Sequence, residues 1–476
     1  MTNHNWIKKA HFVLLAIFFL SLFSFQCRAA APQIHFEAID FHPPKGKRVV
    51  LSNGMILYLL EDHELPLVNL NFMIQAGSLY EPQDKIGLAA TTGELMRTGG
   101  AGEKSGDAID EELEFLSASI STWIGVDSGG GGLNVLTKDF DRGLDLLADI
   151  LLHPRFSEDK LQLIKNEEIE NIRRKNDNPS SIATREFRKL LYGADNPYAR
   201  ESTIEEISNI KRQDCVDYYT RFFHPDAMIV GVTGDFKSDE VVQKLENKFK
   251  NWEKRKESVP VLNPIQVEYK PSVNLVEKDL TQSSIRLGQL GIKQDNPDYF
   301  SLSVMNDILG GQAFSSRLFQ EVRTKRGLAY SVGSILSPGN FEVGTFTALG
   351  STMTKNTTRA ISAILENIKR IKEEPVSFKE LQMAKDSFLN SFIFSFATPA
   401  QIVSRQMSLE YFHLPEDFME QFRDHVSKVT REDVLRVAQK YIHDEGMTIL
   451  VVGNSSGFDQ PLSIFGPVHM ITLSTP

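Results

Sequence analysis

The chain repeats itself at long range, and this limits the folds open to it more than any other feature. The stretch starting at Asp139, DFDRGLDLLADILLHPRFSEDKLQLIKNEEIENIRRKNDNPSSIATR, resembles the one starting at Asn356, NTTRAISAILENIKRIKEEPVSFKELQMAKDSFLNSFIFSFATPAQIVSR. Each predicts an amphipathic helix, a proline break at Pro154 or Pro375, a second long helix, a proline at Pro179 or Pro399, and another helix. Leu161 and Leu381 are 220 residues apart, as are Pro179 and Pro399. Further on, ISNIKRQDCVDYYTRFFHPDAMIVGVTGD resembles VSKVTREDVLRVAQKYIHDEGMTILVVGN. There Asp214 and Asp433, His224 and His443, and Gly234 and Gly453 are all 219 apart. Chance does not hold one offset over so many positions.

Each copy also carries strand signals. VVLSNGMILYLLED places two apolar runs around Asn53-Gly54, a hairpin signature. LVNLNFMIQAG alternates like a half-buried strand, and AMIVGVTGD and MTILVVGN are short apolar strands ending the two copies. SSIRLGQLGI and GTFTALGS fill the same role in the second copy. Blocks of strands and helices, said twice, predict an α+β protein of two tandem homologous domains, each an antiparallel-rich sheet packed with helices. The expected boundaries are 45–250 and 274–473, with the charged, proline-bearing segment 251–273 as linker. SGGGGLNVL, at Gly129 to Gly132, predicts a bent or edge strand or a mobile loop, with a peptide beside that edge as the functional alternative.

The start of the chain predicts export. Lys8 and Lys9 precede the apolar run FVLLAIFFLSLFSF, which is short for a bilayer span, and Cys27-Arg28-Ala29 offers small residues for cleavage. Residues 1–29 are therefore expected to be a signal peptide, with an uncleaved membrane anchor as the alternative. Periplasmic localisation follows from either. Cleavage leaves Cys215 as the only cysteine, so no internal disulfide is expected and stability must come from a large core. Cys215 is expected to be a small buried or half-buried residue. The net charge of −10 argues against a nucleic-acid binder.

GLAATTGELMRTGG, Gly87 to Gly100, sets the functional question. With LSNGMILYLLEDHELPLVNLNFMIQAGSLYEP before it and LTKDFDRGLDLLADILLHPRF after it, it resembles the pitrilysin-type zinc peptidases, or inverzincins, which include the mitochondrial processing peptidase subunits. The resemblance covers about residues 48–473 and implies one half of a clamshell chamber. In that family this helix carries His-x-x-Glu-His: two histidines four apart hold zinc, and the glutamate deprotonates its bound water. Laid on this sequence, those positions are Ala90, Gly93 and Glu94. The third family ligand, a glutamate about 76 residues downstream, falls at Glu170, with Glu167 and Glu168 nearby. No two histidines beyond the leader are closer than seven residues, so no His-x-x-x-His face exists elsewhere. His224 and His443, matched through the repeat, are expected to be structural. No G-x-S-x-G elbow, P-loop or post-strand G-x-G-x-x-G is present. This chain is thus expected to bind no metal and to have no catalytic residue in isolation.

The second copy keeps what the first lost. LGGQAFSSRLFQEVRTKRGLAYSVGS holds Arg323 and Tyr330 at the family spacing Arg-x6-Tyr. By resemblance these two donate hydrogen bonds to the substrate backbone and its developing oxyanion. Some family members place zinc on one chain and the Arg/Tyr pair on another. The resemblance therefore implies a non-catalytic, exported subunit of a heterodimeric zinc metalloendopeptidase. Its zinc would sit on a paralogous partner, and its substrates would be peptides. The alternative is a catalytically inactive peptide-binding or assembly protein with no associated hydrolysis.

Overall fold

The computed structural model describes residues 44–260 and 264–474, which belong to one compact unit; the expected signal peptide lies outside the described residues. The first half builds a six-stranded sheet from β1 (Lys47–Val50), β2 (Ile56–Glu61), β3 (Leu67–Ile74), β4 (Ser119–Ile124), β5 (Gly129–Leu136) and β6 (Met228–Gly234), in the order β1-β2-β6-β3-β5-β4. The second half builds another from β7 (Ser272–Glu277), β8 (Gln282–Leu290), β9 (Ser331–Ser337), β10 (Thr345–Met353), β11 (Thr448–Gly453) and β12 (Val468–Met470), in the order β12-β7-β11-β8-β10-β9. Five strands correspond one to one. The sixth differs in origin: β1 joins β2 antiparallel through the Asn53-Gly54 turn, whereas β12 returns from the end of the chain and pairs parallel with β7.

The helices of the first half are α1 (Leu88–Thr98), α2 (Gly106–Leu116), α3 (Phe140–Leu152), α4 (Glu158–Arg174), α5 (Pro179–Tyr192), α6 (Ile204–Asn209), α7 (Arg212–Phe222) and α8 (Ser238–Phe249). Those of the second are α9 (Tyr299–Asn306), α10 (Thr357–Glu373), α11 (Phe378–Phe394), α12 (Pro399–Tyr411), α13 (Phe418–Lys428) and α14 (Arg431–Tyr441). Most cover one face of their own sheet and form the two main cores. Cys215 is buried in the first.

The third helix of each repeat behaves differently, and here chain order and packing part company. Helix α5 leaves the first half and lies on β8 and β11, where Ile182, Ala183 and Phe187 meet Val276, Leu450 and Val452. Helix α12 reciprocates on β2, β3 and β6, where Val403, Met407 and Tyr411 meet Tyr58 and Ile229. Polar contacts fix the exchange. Arg286 donates from Nη2 to Ser180 Oγ at 3.1 Å and Thr184 Oγ1 at 3.2 Å, and Arg48 forks onto Glu410 at 2.8 and 2.6 Å. The exchange also explains why β6 is buried from Met228 through Thr233: it is covered on both faces. Between α8 and β7 no helix or strand occurs among the described residues, and Ser272 and Val273, assigned by sequence to the linker, already belong to β7.

The glycine run is a correction. Strand β5 is not an edge: it lies between β3 and β4, and Gly129 to Gly132 are buried. The missing side chains are replaced by neighbours. A Cβ on Gly131 would sit 2.7 Å from the Phe72 ring, and one on Gly130 2.8 Å from the Trp123 ring. The true edges are β1 and β4.

Candidate functional site: an emptied metal helix and an exposed Arg/Tyr pair

Helix α1 is held at its start by a buried carboxylate. Glu81 accepts from the Ala89 N–H at 2.6 Å and the Gly87 N–H at 3.3 Å, capping the orphan amides of the first turn. Its side chain is 1% exposed, and burial pushes its carboxyl up to about 6 despite those two hydrogen bonds. Arg200 reaches the same carboxylate at 3.5 Å and donates to the Ser78 carbonyl.

One face of α1 is sealed and the other is open. Gly93, the family's general-base position, is buried against β4, and Thr122 Oγ1 donates to its carbonyl at 2.6 Å. A Cβ there would stand 2.5 Å from the Ile124 nitrogen and 2.8 Å from the Trp123 carbonyl carbon. No glutamate fits without moving the strand or the helix. Ala90 and Glu94, one turn apart, are exposed and line a cavity of about 480 Å³.

Helix α4 supplies the opposite wall. Glu167 and Glu168 line the cavity, and Glu94 is held above the usual carboxylate range by burial and by these two like charges. Glu170, chosen by sequence spacing, does not line it; its carboxylate is 54% exposed and pairs with Arg173. Helix phase decides this: Ile164, Glu167, Glu168, Asn171 and Lys175 share one face at intervals of three and four, and position 170 falls off it. The cavity holds no histidine, and among the described residues no group of three His, Cys, Asp or Glu is placed to hold a metal ion. Three carboxylates with no imidazole or thiolate among them do not fit zinc, whose protein sites combine carboxylate oxygen with histidine or cysteine in a tetrahedral set.

Three further residues of the cavity carried no sequence signal. Tyr198, Arg200 and Arg188 line it, and NPYAR, which holds the first two, reads as an ordinary turn. His224 and His443 lie just past the ends of α7 and α14. The first bridges the carbonyls of Thr220 and Glu253 at 3.0 and 3.1 Å, and the second stacks on Tyr269 at 3.9 Å.

Arg323 and Tyr330 stand elsewhere: the cavity lining comes wholly from residues 78–207. Arg323 lies on a widened, π-type turn, Phe319–Lys325, and Tyr330 immediately precedes the edge strand β9. The structure brings the pair together. The Arg323 guanidinium carbon lies 4.8 Å from the Phe319 ring centre and 5.6 Å from that of Tyr330. Phe314 meets Phe319 edge-on at 5.2 Å. The Tyr330 backbone is pinned by its N–H to the Ser351 carbonyl at 2.8 Å, while its side chain is 76% exposed. Arg323 has no acidic partner among the described residues, so ring faces orient it and leave its N–H groups open.

With this geometry in view, comparison with known proteins is direct. The family description "Insulinase (Peptidase family M16)" matches residues 57–196, and "Peptidase M16 inactive domain" matches residues 209–388. The chain belongs to the M16 family. It is 25% identical over 406 residues to the "Uncharacterized zinc protease YmxG" of Bacillus subtilis, covering 85% of this chain and 98% of that one. It is 23% identical over 399 residues to the "Non-peptidase homolog YmxG" of Helicobacter pylori, covering 83% and 90%. The structure titled as a peptidase M16 inactive domain from Pseudomonas fluorescens superposes with a TM-score of 0.78 at 26% identity, covering 88% of this chain and all of that one. The M16 chain described here is thus an α+β clamshell half whose sequence contains no His-x-x-Glu-His. Among its described residues no helix is long and apolar enough to cross a membrane.

Proposed function

We propose that this M16 chain is the non-catalytic subunit of an exported heterodimeric zinc metalloendopeptidase acting on peptides. The partner chain carries the zinc and the water-activating glutamate. This chain contributes Arg323 and Tyr330 and its half of the chamber wall. One observation carries the reading: the position of the base is sealed by Gly93 against β4, while the Arg/Tyr pair is kept, stacked and open to solvent. A guanidinium and a phenol so presented offer donors to a peptide carbonyl and to the oxyanion that forms on it. Preorganised donors of this kind contribute on the order of 10²–10³ in rate each.

The test is co-expression with a zinc-bearing M16 paralogue from the same genome. The expected result is a complex that cleaves unfolded peptides, while this chain alone binds no stoichiometric zinc and cleaves nothing. In the complex, Arg323→Ala and Tyr330→Phe lower kcat by about 10²-fold or more each. Unchanged turnover in both variants would refute the assigned role. A stable homodimer that binds peptides, in a genome without such a paralogue, would favour the assembly or peptide-binding alternative.

A further inference from the structure

The exchanged helix α5 closes a different cavity against the sheet of the other half. About 340 Å³ in volume, it lies between the start of α5, at Asn178 to Ser180, and the strands β8, β10 and β9. That is the small end of the usual range for ligand sites. In a chain of net charge −10, Arg286 is the one charged side chain that lines it, and no acidic residue does so among the described residues.

Arg286 is 9% exposed. Burial, with no carboxylate opposing it, pulls the guanidinium below the usual arginine value. A buried cation without a counter-charge costs free energy that a bound anion recovers. Docking a helix on the sheet does not by itself call for this cation. Asn71 on β3 stands opposite Gly231 on β6, and Arg286 on β8 stands opposite Leu450 on β11. Gly231 and Leu450 are 219 apart, so the repeat puts an uncharged Asn71 where the second half has Arg286, and α12 docks on that sheet all the same.

The guanidinium turns the nearest hydroxyls outward. Nη2 donates to Ser180 Oγ at 3.1 Å, and Nη1 to Ser284 Oγ at 3.4 Å. A hydroxyl that accepts from a guanidinium keeps its own hydrogen for another acceptor, and the charge behind it makes it a stronger donor. Neither the Ser180 nor the Ser284 hydroxyl donates to a group among the described residues. Ser284 stands opposite Ser351, and Ser351 opposite Ser331, so a row of hydroxyls on one face runs from beside Arg286 to the edge strand β9. The α5 amides at this end are already used: Asn178 Oδ1 accepts from the Ser180 and Ser181 N–H groups at 2.9 and 3.0 Å. The free donors therefore sit on a helix on one wall and on a sheet on the other. That arrangement suits an acceptor whose oxygens do not share a plane.

We propose that this cavity binds a phosphate group, as the free ion or as a small monoester. Its oxygens accept from Ser180 and Ser284, with the charge of Arg286 behind both. The site uses neither the Arg323 and Tyr330 pair nor the cavity beside α1, and it needs no metal and no partner chain.

Calorimetric titration of the full chain, at ionic strength held constant with sodium chloride, tests this with inorganic phosphate, glycerol phosphate and acetate. Saturable binding of phosphate is expected, with acetate at least tenfold weaker. Glycerol phosphate binding as tightly as phosphate or tighter assigns the site to monoesters, and binding of phosphate alone assigns it to the free ion. Arg286→Gln is expected to abolish binding. Because Arg286 also ties α5 to β8, the double variant Ser180→Ala with Ser284→Ala separates binding from folding. It keeps the charge and removes two small hydroxyls, so it is expected to keep the circular dichroism of the parent chain while weakening phosphate at least tenfold. No saturable heat at millimolar phosphate, acetate as tight as phosphate, or unchanged affinity in the double variant overturns the proposal. The readout is binding by the lone chain, so any of these failures leaves the Arg323 and Tyr330 assignment standing.

Discussion

The first and second halves of the molecule share five strands in one order, yet their leading helices differ. In the first half, α1 is a regular helix of 11 residues. In the second, α9 runs into a π-type turn at Asp307–Gly311, followed by another at Phe319–Lys325. Both halves nonetheless press this region onto an edge strand through a glycine. A Cβ on Gly93 would meet the Ile124 nitrogen of β4 at 2.5 Å, and one on Gly310 would meet the Ser334 nitrogen of β9 at 2.3 Å. The inner face of α1 therefore packs on its edge strand as closely as the corresponding region of the second half does. Only its outer face, at Ala90 and Glu94, remains open.

The reciprocal exchange of α5 and α12 is the strongest link between the halves, and it gives the largest expected effect. Phe187 is 3% exposed on α5 and Met407 is 2% exposed on α12. Truncating Phe187 to alanine is expected to cost about 3–5 kcal/mol, and Met407 about 2–5 kcal/mol, read by chemical denaturation. Because each helix seals the other half's sheet, both variants are expected to keep a single cooperative transition. Two separated transitions would show that the halves are independent domains and that the exchange contributes little.

Next in size is the glycine contact. Gly93→Ala and Gly310→Ala each force a methyl into backbone, so each is expected to lose stability at the upper end of roughly 1–3 kcal/mol. A neutral Gly93→Ala would mean that α1 has slack against β4, and that the sealed base position is an accident of side-chain choice. The open face gives the contrasting gain. Ala90→His with Glu94→His restores two imidazoles on one exposed face, beside Glu167 and Glu168. That double variant is expected to take up zinc in equilibrium dialysis while remaining inactive, since nothing fills position 93.

What the sequence made legible was pattern, and what it hid was partnership. The 219–220 offset, the Asn53-Gly54 hairpin and the alternation of β3 all describe a segment by itself, and each appears where expected. The helix after Pro399 was equally plain, but a helix prediction does not say which sheet will cover it. Gly129 to Gly132 misled for a related reason. Their space is taken by Phe72 and Trp123 from neighbouring strands, which no local window contains. Glu170 was a matter of phase: counting residues from Glu94 ignored which face of α4 each glutamate occupies. Arg323 and Tyr330, seven residues apart in the chain, meet in space, which the spacing alone did not say.

The smallest effect separates the halves by pH. Glu81, at the start of α1, is pushed up to about 6 by burial, from an ordinary value of 4.5. Between those values the folded chain holds a proton that the unfolded chain has released, so stability falls as pH rises from 4.5 to 6, by about 2 kcal/mol in all. Glu380, at the start of α11, runs the other way. Burial raises it, but the Arg317 fork at 2.6 and 3.1 Å and the Ser377 bonds outweigh that and bring it down to about 2. There the unfolded chain binds the extra proton, and stability is lost as pH falls from 4.5 toward 2. Glu81→Gln is expected to flatten the limb between pH 4.5 and 6 and to leave the acid limb intact, in denaturation curves taken across pH. If the upper limb survives in that variant, the buried cap of α1 is ionised throughout. Helix α1 would then carry a buried negative charge at its start as well as the exposed Glu94 carboxylate on its open face.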